Sequence, residues 1–124
     1  MAITKVVCGL ALKGENILIC RRQSGKSLKG YWEFPGGKVE ALESYEESLC
    51  RELMEELNLT IEIKQHFKST IHHYDNNSIE LISFICSTED TVTTSTDHDR
   101  LEWVKVQNLL SWKLAPADIH IAKS

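Results

Sequence analysis

Apolar residues in the first part of the chain recur with the period of extended backbone. Residues 3–12 (ITKVVCGLAL) and 16–22 (NILICRR) read as two strands joined by the hairpin-length link Lys13-Gly14-Glu15. Further on the period becomes helical, with Leu42, Tyr45, Leu49, Leu53 and Leu57 along one stripe. Ser44 with Glu47 carries a capping-box signature, and Asn58 is the non-glycine residue best able to end a helix in left-handed backbone. The helix so bounded is about 20 Å long. Residues 60–74 and 78–87 read as a second strand pair around the turn sequence Asp75-Asn76-Asn77. Within it IELISFIC is nearly continuously apolar, which predicts a central strand covered on both faces. Tyr31-Trp32-Glu33-Phe34 followed by Pro35-Gly36-Gly37 reads as a short strand that breaks into a tight turn. A strand at 101–106 and a short helix from Pro116 to about Lys123 complete a chain of the α/β class.

The polar side of the central helix needs a reason. Glu52, Glu55 and Glu56 share one face at i, i+3 and i+4, and like charges at that spacing cost a helix a few tenths of a kcal/mol per pair. A hard divalent cation removes the repulsion, because Mg²⁺ takes oxygen ligands and is commonly shared between carboxylates and substrate phosphates. A solvated acidic face paired with Arg51 and distant lysines is the other reading. The residues of the helix alone leave both open.

A longer pattern favours the first. Gly37, five residues, Glu43, seven residues, then Arg51-Glu52-Leu53-Met54-Glu55-Glu56-Leu57-Asn58-Leu59 resembles the Nudix box, G-x5-E-x7-R-E-U-x-E-E-x-G-U, with U a bulky aliphatic. It departs once, at Asn58, where the family has glycine; at a helix C-cap Asn is the mildest exception. WEFPGGKVE and LAPAD resemble the corresponding stretches of MutT-like and CTP pyrophosphohydrolase-like members. The resemblance implies one domain over 1–124 with the box at 37–59, folded as the Nudix α/β/α sandwich with a mixed β-sheet. It implies a hydrolase that converts a nucleoside triphosphate to the monophosphate and pyrophosphate, acting on oxidised or modified nucleotides or on CTP-type ones. A hydrolase of another nucleoside diphosphate compound such as ADP-ribose and a non-catalytic nucleotide sensor are the alternatives.

The same resemblance implies roles for residues. The Gly36 carbonyl, Glu52, Glu55 and Glu56 would hold Mg²⁺, with Mn²⁺ as a substitute, and Glu52 or Asp97 would activate water. Arg51 would hold Glu52 in place, and Glu43 would support the box. Asp97 aligns with a loop glutamate of MutT-like enzymes that contacts metal or activates water, so it joins the metal ligands as well, His98 and Asp99 being its stand-ins. Arg22 and Lys38 are candidates for the phosphates, and Phe34 and Tyr74 for the base. Asp118 occupies the position where MutT-like enzymes place an Asn that reads oxidised guanine. An ionised Asp only accepts hydrogen bonds, which suits the exocyclic amino group of cytosine or adenine. A purine oxidised at carbon 8 also offers it a donor, and a protonated Asp reopens ordinary guanine.

Composition narrows the partners. The chain has 124 residues, 42% hydrophobic and 26% charged, which is ordinary globular usage. Its net charge of −4 gives no general attraction to nucleic acid polymers or anionic membranes, so a polyanionic ligand must be held locally. No run approaches the roughly 18 apolar residues of a spanning helix, and the start of the chain alternates without a cleavage-site pattern. Cys8, Cys20, Cys50 and Cys86 show no CxxC spacing and sit among apolar neighbours, as buried thiols of a cytoplasmic protein do. His72 and His73 are adjacent on a strand and face opposite sides, so they do not share one ion. A monomer or homodimer is expected.

Overall fold

The strand β1 (Ile3–Lys13) pairs in parallel with β6 (Ser78–Ser87), from Ile3 opposite Ser78 to Leu12 opposite Ser87. Its other edge is divided between two partners. Near its start Val6, Val7 and Cys8 pair antiparallel with β4 (Gly36–Lys38), and at its end Leu12 and Lys13 pair with β2 (Asn16–Arg22). β2 carries β3 (Trp32–Glu33) and β7 (His98–Lys105), while β5 (Glu62–His73) closes the far side on β6. The result is a mixed sheet of order β3-β2-β1-β6-β5. This computed structural model describes residues 3–22, 30–74, 77–90 and 98–124, at 98 and 99 for the backbone alone. Among the described residues no helix is long and apolar enough to cross a membrane.

Strand alternation sends successive side chains to two separate cores. Val7 and Ala11 of β1, Leu18 and Cys20 of β2 and Ile82 of β6 face α1 (Tyr45–Leu57), whose Leu49, Leu53 and Leu57 are sealed against them. Each such leucine contributes about 2 kcal/mol by leaving water. Cys8 and Leu10, Ile17 and Ile19, and Leu81 face the opposite way, toward α2 (Pro116–Ala122) and its Ile121. The sheet therefore lies between two helices. β6 is flanked by β1 and β5 and contributes to both cores, as its nearly continuous apolar run predicts.

The limits of α1 are those the sequence marks. Ser44 and Glu47 form the reciprocal capping box, and Asn58 ends the helix at φ 53°, ψ 38°. Four expectations are corrected. Leu42 does not join the apolar stripe: it precedes the helix, at φ 70°, with its side chain fully exposed. Pro35-Gly36-Gly37 was expected as a tight turn, but the two glycines continue with Lys38 as β4, because backbone without a Cβ at Gly36 can lie directly against β1. β7 begins at His98 rather than at residue 101, since its partner β2 extends through Arg22 to meet it. Cys50 is exposed on α1, unlike the buried Cys8, Cys20 and Cys86.

Left-handed backbone costs a side chain with a Cβ about 1–2 kcal/mol. Leu42 has no burial to offset that cost, so Leu42→Gly is expected to raise stability by about 1 kcal/mol after the entropy of the added glycine is deducted. Chemical denaturation of both proteins checks this; a lower midpoint for the variant contradicts it.

Candidate active site

The site is built on β4. Gly36 lies so close to β1 that a Cβ there would collide with the Val7 carbonyl oxygen and stand 2.7 Å from Cys8 Cα. At Gly37 a Cβ would stand 2.5 and 2.6 Å from the two carboxylate oxygens of Glu52. The Glu52 carboxylate thus rests on bare backbone, in a seat that glycine alone leaves open.

Arg51 fixes the acidic side of α1 around that seat. Its guanidinium donates to both oxygens of Glu43, at 2.6 and 3.1 Å, to Glu52 Oε2 at 3.3 Å and to Glu55 Oε1 at 3.1 Å. It also reaches the Lys38 carbonyl at 3.4 Å, so one side chain ties α1, the preceding loop and β4 together. The Arg51 hydrogen bond holds the Glu43 carboxyl below its ordinary range, and Glu43 raises Arg51 in turn. The Glu52 side chain is 15% exposed and that of Glu55 62%. Glu56 is half-buried on the same helix.

On the other side of β4 a cavity of about 770 Å³ opens between β1, β3, β6 and α2. Arg22, Phe34, Gly36, Lys38, Tyr74 and Asp118 all line it, so residues scattered over the sequence meet at one place. Arg22 donates to Glu33 Oε1 at 2.9 Å. Glu33, also in the lining, was not singled out from the sequence; the signal was an acid enclosed by Trp32 and Phe34, both buried. Asn77 and His73 line the cavity and carried no such signal. Asp97 lies outside the described residues, as do the side chains of His98 and Asp99.

Asp118 forms the buried floor. Its Oδ2 accepts the Phe34 backbone N–H at 2.7 Å, and only 6% of the residue is exposed. Burial first, and the charge of Glu33 second, push its carboxyl up to about 8. At neutral pH the group is therefore mostly protonated and able to donate, in contrast to the ionised acceptor that its residue type suggests.

A folded-state value above that of the unfolded chain, about 4, means the unfolded chain releases this proton first as pH rises. Stability then falls between about pH 4 and pH 8 and levels off above. Asp118→Asn keeps an oxygen for the Phe34 N–H and has no proton to lose. Its Tm is expected to gain on that of the parent chain as pH is raised through that window. A difference that does not change with pH in thermal melts contradicts the protonated state.

Whether these groups suit a divalent ion is a question of donor chemistry. Glu52, Glu55, Glu56 and the Gly36 carbonyl offer only oxygen, the set a hard ion such as Mg²⁺ prefers. Among the described residues no three acidic, His or Cys side chains already converge on a point. Arg51 bridges Glu52 and Glu55 instead. The donor set fits the ion, and the exposed Glu55 is the side chain with room to turn toward it.

Known proteins are similar to this chain in sequence and fold. The NUDIX domain model matches residues 3–124. The chain is 30% identical over 124 residues to the CTP pyrophosphohydrolase of Escherichia coli strain K12, covering 100% of this chain and 92% of that protein. It is 30% identical over 121 residues to the 8-oxo-dGTP diphosphatase of Buchnera aphidicola subsp. Schizaphis graminum, covering 98% and 92%. The solution structure of the E. coli ORF135 protein superposes with a TM-score of 0.82 at 31% identity, covering 99% of this chain and 88% of that one.

Proposed function

The chain belongs to the NUDIX family of hydrolases, and on that premise we propose that it is a nucleoside triphosphate pyrophosphohydrolase acting on oxidised, modified or CTP-type nucleotides. One observation carries the reading: β4 is a wall common to the nucleotide-sized cavity, which it lines, and to the Glu52 carboxylate, which rests on Gly37. A base bound in the cavity would thus direct its phosphates along β4 toward the acidic side of α1. Removal of such nucleotides from the cytoplasmic pool is the service this activity would perform.

A triphosphate resists hydrolysis because its negative oxygens repel an approaching nucleophile. Lys38 and Arg22 lie where they can meet phosphate oxygens, Arg22 sharing its guanidinium with Glu33. Phe34 and Tyr74 offer apolar surface to the base, and Asp118 supplies a hydrogen-bond donor or acceptor to its polar edge. Glu52 orients water and takes its proton, while Arg51 keeps that carboxylate on Gly37. The water oxygen joins the β-phosphorus, and the α–β bridging oxygen leaves with the monophosphate. Glu52, Glu55, Glu56 and the Gly36 carbonyl would hold Mg²⁺ or Mn²⁺, which when bound neutralises phosphate charge and stabilises the leaving group.

Pyrophosphate release from a panel of triphosphates, with Mg²⁺ and with EDTA, tests the proposal. Metal-dependent release from triphosphates is expected. AMP from ADP-ribose, or tight nucleotide binding without turnover, contradicts it. On the same panel Asp118→Asn is expected to change base preference more than the rate on the best substrate, and equal selectivity of the two proteins removes Asp118 from base recognition.

A further inference from the structure

His72 near the end of β5 and His120 in the last turn of α2 are 48 residues apart in the chain, yet His72 Nδ1 and His120 Nε2 stand 3.4 Å from one another. Their rings are 5.4 Å apart between centroids and inclined at 47°. Two nitrogens held by one ion at about 2.05 Å each are separated by about 3.4 Å at the tetrahedral angle of Zn²⁺ and by about 2.9 Å at the right angle of Ni²⁺, which a small turn of the exposed His120 ring supplies. We propose that His72 and His120 form a two-imidazole site for a borderline transition-metal ion such as Zn²⁺ or Ni²⁺, which clips α2 to β5.

The ligand type separates this site from the acidic side of α1, because imidazole suits Zn²⁺ and Ni²⁺ whereas carboxylate and carbonyl oxygens suit Mg²⁺. Coordination takes the uncharged imidazole, so an ion binds the pair more tightly as pH rises. In the ion-free chain one facing nitrogen donates its proton to the other; the ion takes that proton's place. His120 is exposed, which gives an ion access. Among the described residues no third His, Cys, Asp or Glu joins the pair, so water fills the remaining positions.

The clip acts on the cavity through its immediate neighbours. His72 packs edge-on against Tyr74 at 4.6 Å between centroids, and Asp118 precedes His120 by half a turn of α2. Tyr74 and Asp118 are both cavity walls. An ion between the histidines therefore fixes those walls relative to one another.

Thermal melts of the full chain with NiCl₂, in millimolar Mg²⁺ to satisfy oxygen donors, test the site without any need for turnover. Ni²⁺ is expected to raise Tm by about 5 °C or more in the parent chain. The rise should disappear in His72→Gln and in His120→Gln, each compared with its own metal-free melt, and persist in His66→Gln and Glu56→Gln. No rise in the parent chain, or a rise kept by both His72→Gln and His120→Gln, overturns the proposal.

Discussion

Glu52→Gln is expected to fold as the parent chain does and to turn over at least about a hundredfold more slowly, the scale of a lost acid–base group. Gln has the shape of Glu, so it can occupy the same seat on Gly37 and still accept the Arg51 hydrogen bond seen at 3.3 Å. What it lacks is negative charge and a lone pair basic enough to take a proton from water. The loss should fall on kcat, with little change in KM, because Phe34, Tyr74 and Asp118, proposed for the base, line the cavity on the other side of β4. Unchanged turnover at an unchanged melting temperature would remove Glu52 from the chemistry.

The two glycines of β4 should separate stability from activity. Gly36→Ala sets a methyl group against the Val7 carbonyl and Cys8 Cα, atoms held in place by the β1–β6 ladder. Backbone so constrained cannot withdraw, and a loss of about 3 kcal/mol or more is expected. Gly37→Ala has as its nearest neighbours the carboxylate atoms at the end of a flexible side chain. Glu52 can swing aside, so stability should change by less than about 1 kcal/mol. Turnover should nonetheless fall by about a hundredfold, the cost of misplacing a reacting group by about 1 Å. If both changes act through Glu52, the double variant Gly37→Ala/Glu52→Gln should be no slower than Glu52→Gln alone. Additive losses in kcat, or a Gly36→Ala protein as stable as its parent in denaturant melts, contradict this account of β4.

How much of this was legible in the residues depends on how far apart the cooperating groups stand. α1 was readable to its ends because its signals are local: Ser44 with Glu47, the leucine period, Asn58. The two-sided covering of β6 was equally plain, since an apolar run with no polar alternation has no side to give to water. β4 was hidden because Pro35-Gly36-Gly37 is also good turn chemistry, and only the long-range contact with β1 decides for a strand. Leu42 fitted the helical period, yet it lies ahead of the Ser44 cap, where periodicity no longer governs direction.

The site shows the same division. Its acidic members share one helix, so spacing alone grouped them. The protonation of Asp118 was not legible, because it arises from burial and from Glu33, 85 positions away in the chain. The facing of His72 and His120 likewise exists only after α2 has packed over β5. Adjacent histidines on a strand were correctly separated by alternation, His73 meeting Ser78 and His72 meeting His120, but no local rule points across 48 residues.

Crystals grown with Mg²⁺ and a non-hydrolysable nucleoside triphosphate analogue test the central claim most directly. The ion is expected among Glu52, Glu55, Glu56 and the Gly36 carbonyl, bridging to the phosphates, with the base in the cavity beside Asp118. A nucleotide bound elsewhere, or those carboxylates still paired with Arg51 and no ion between them and the phosphates, would contradict it.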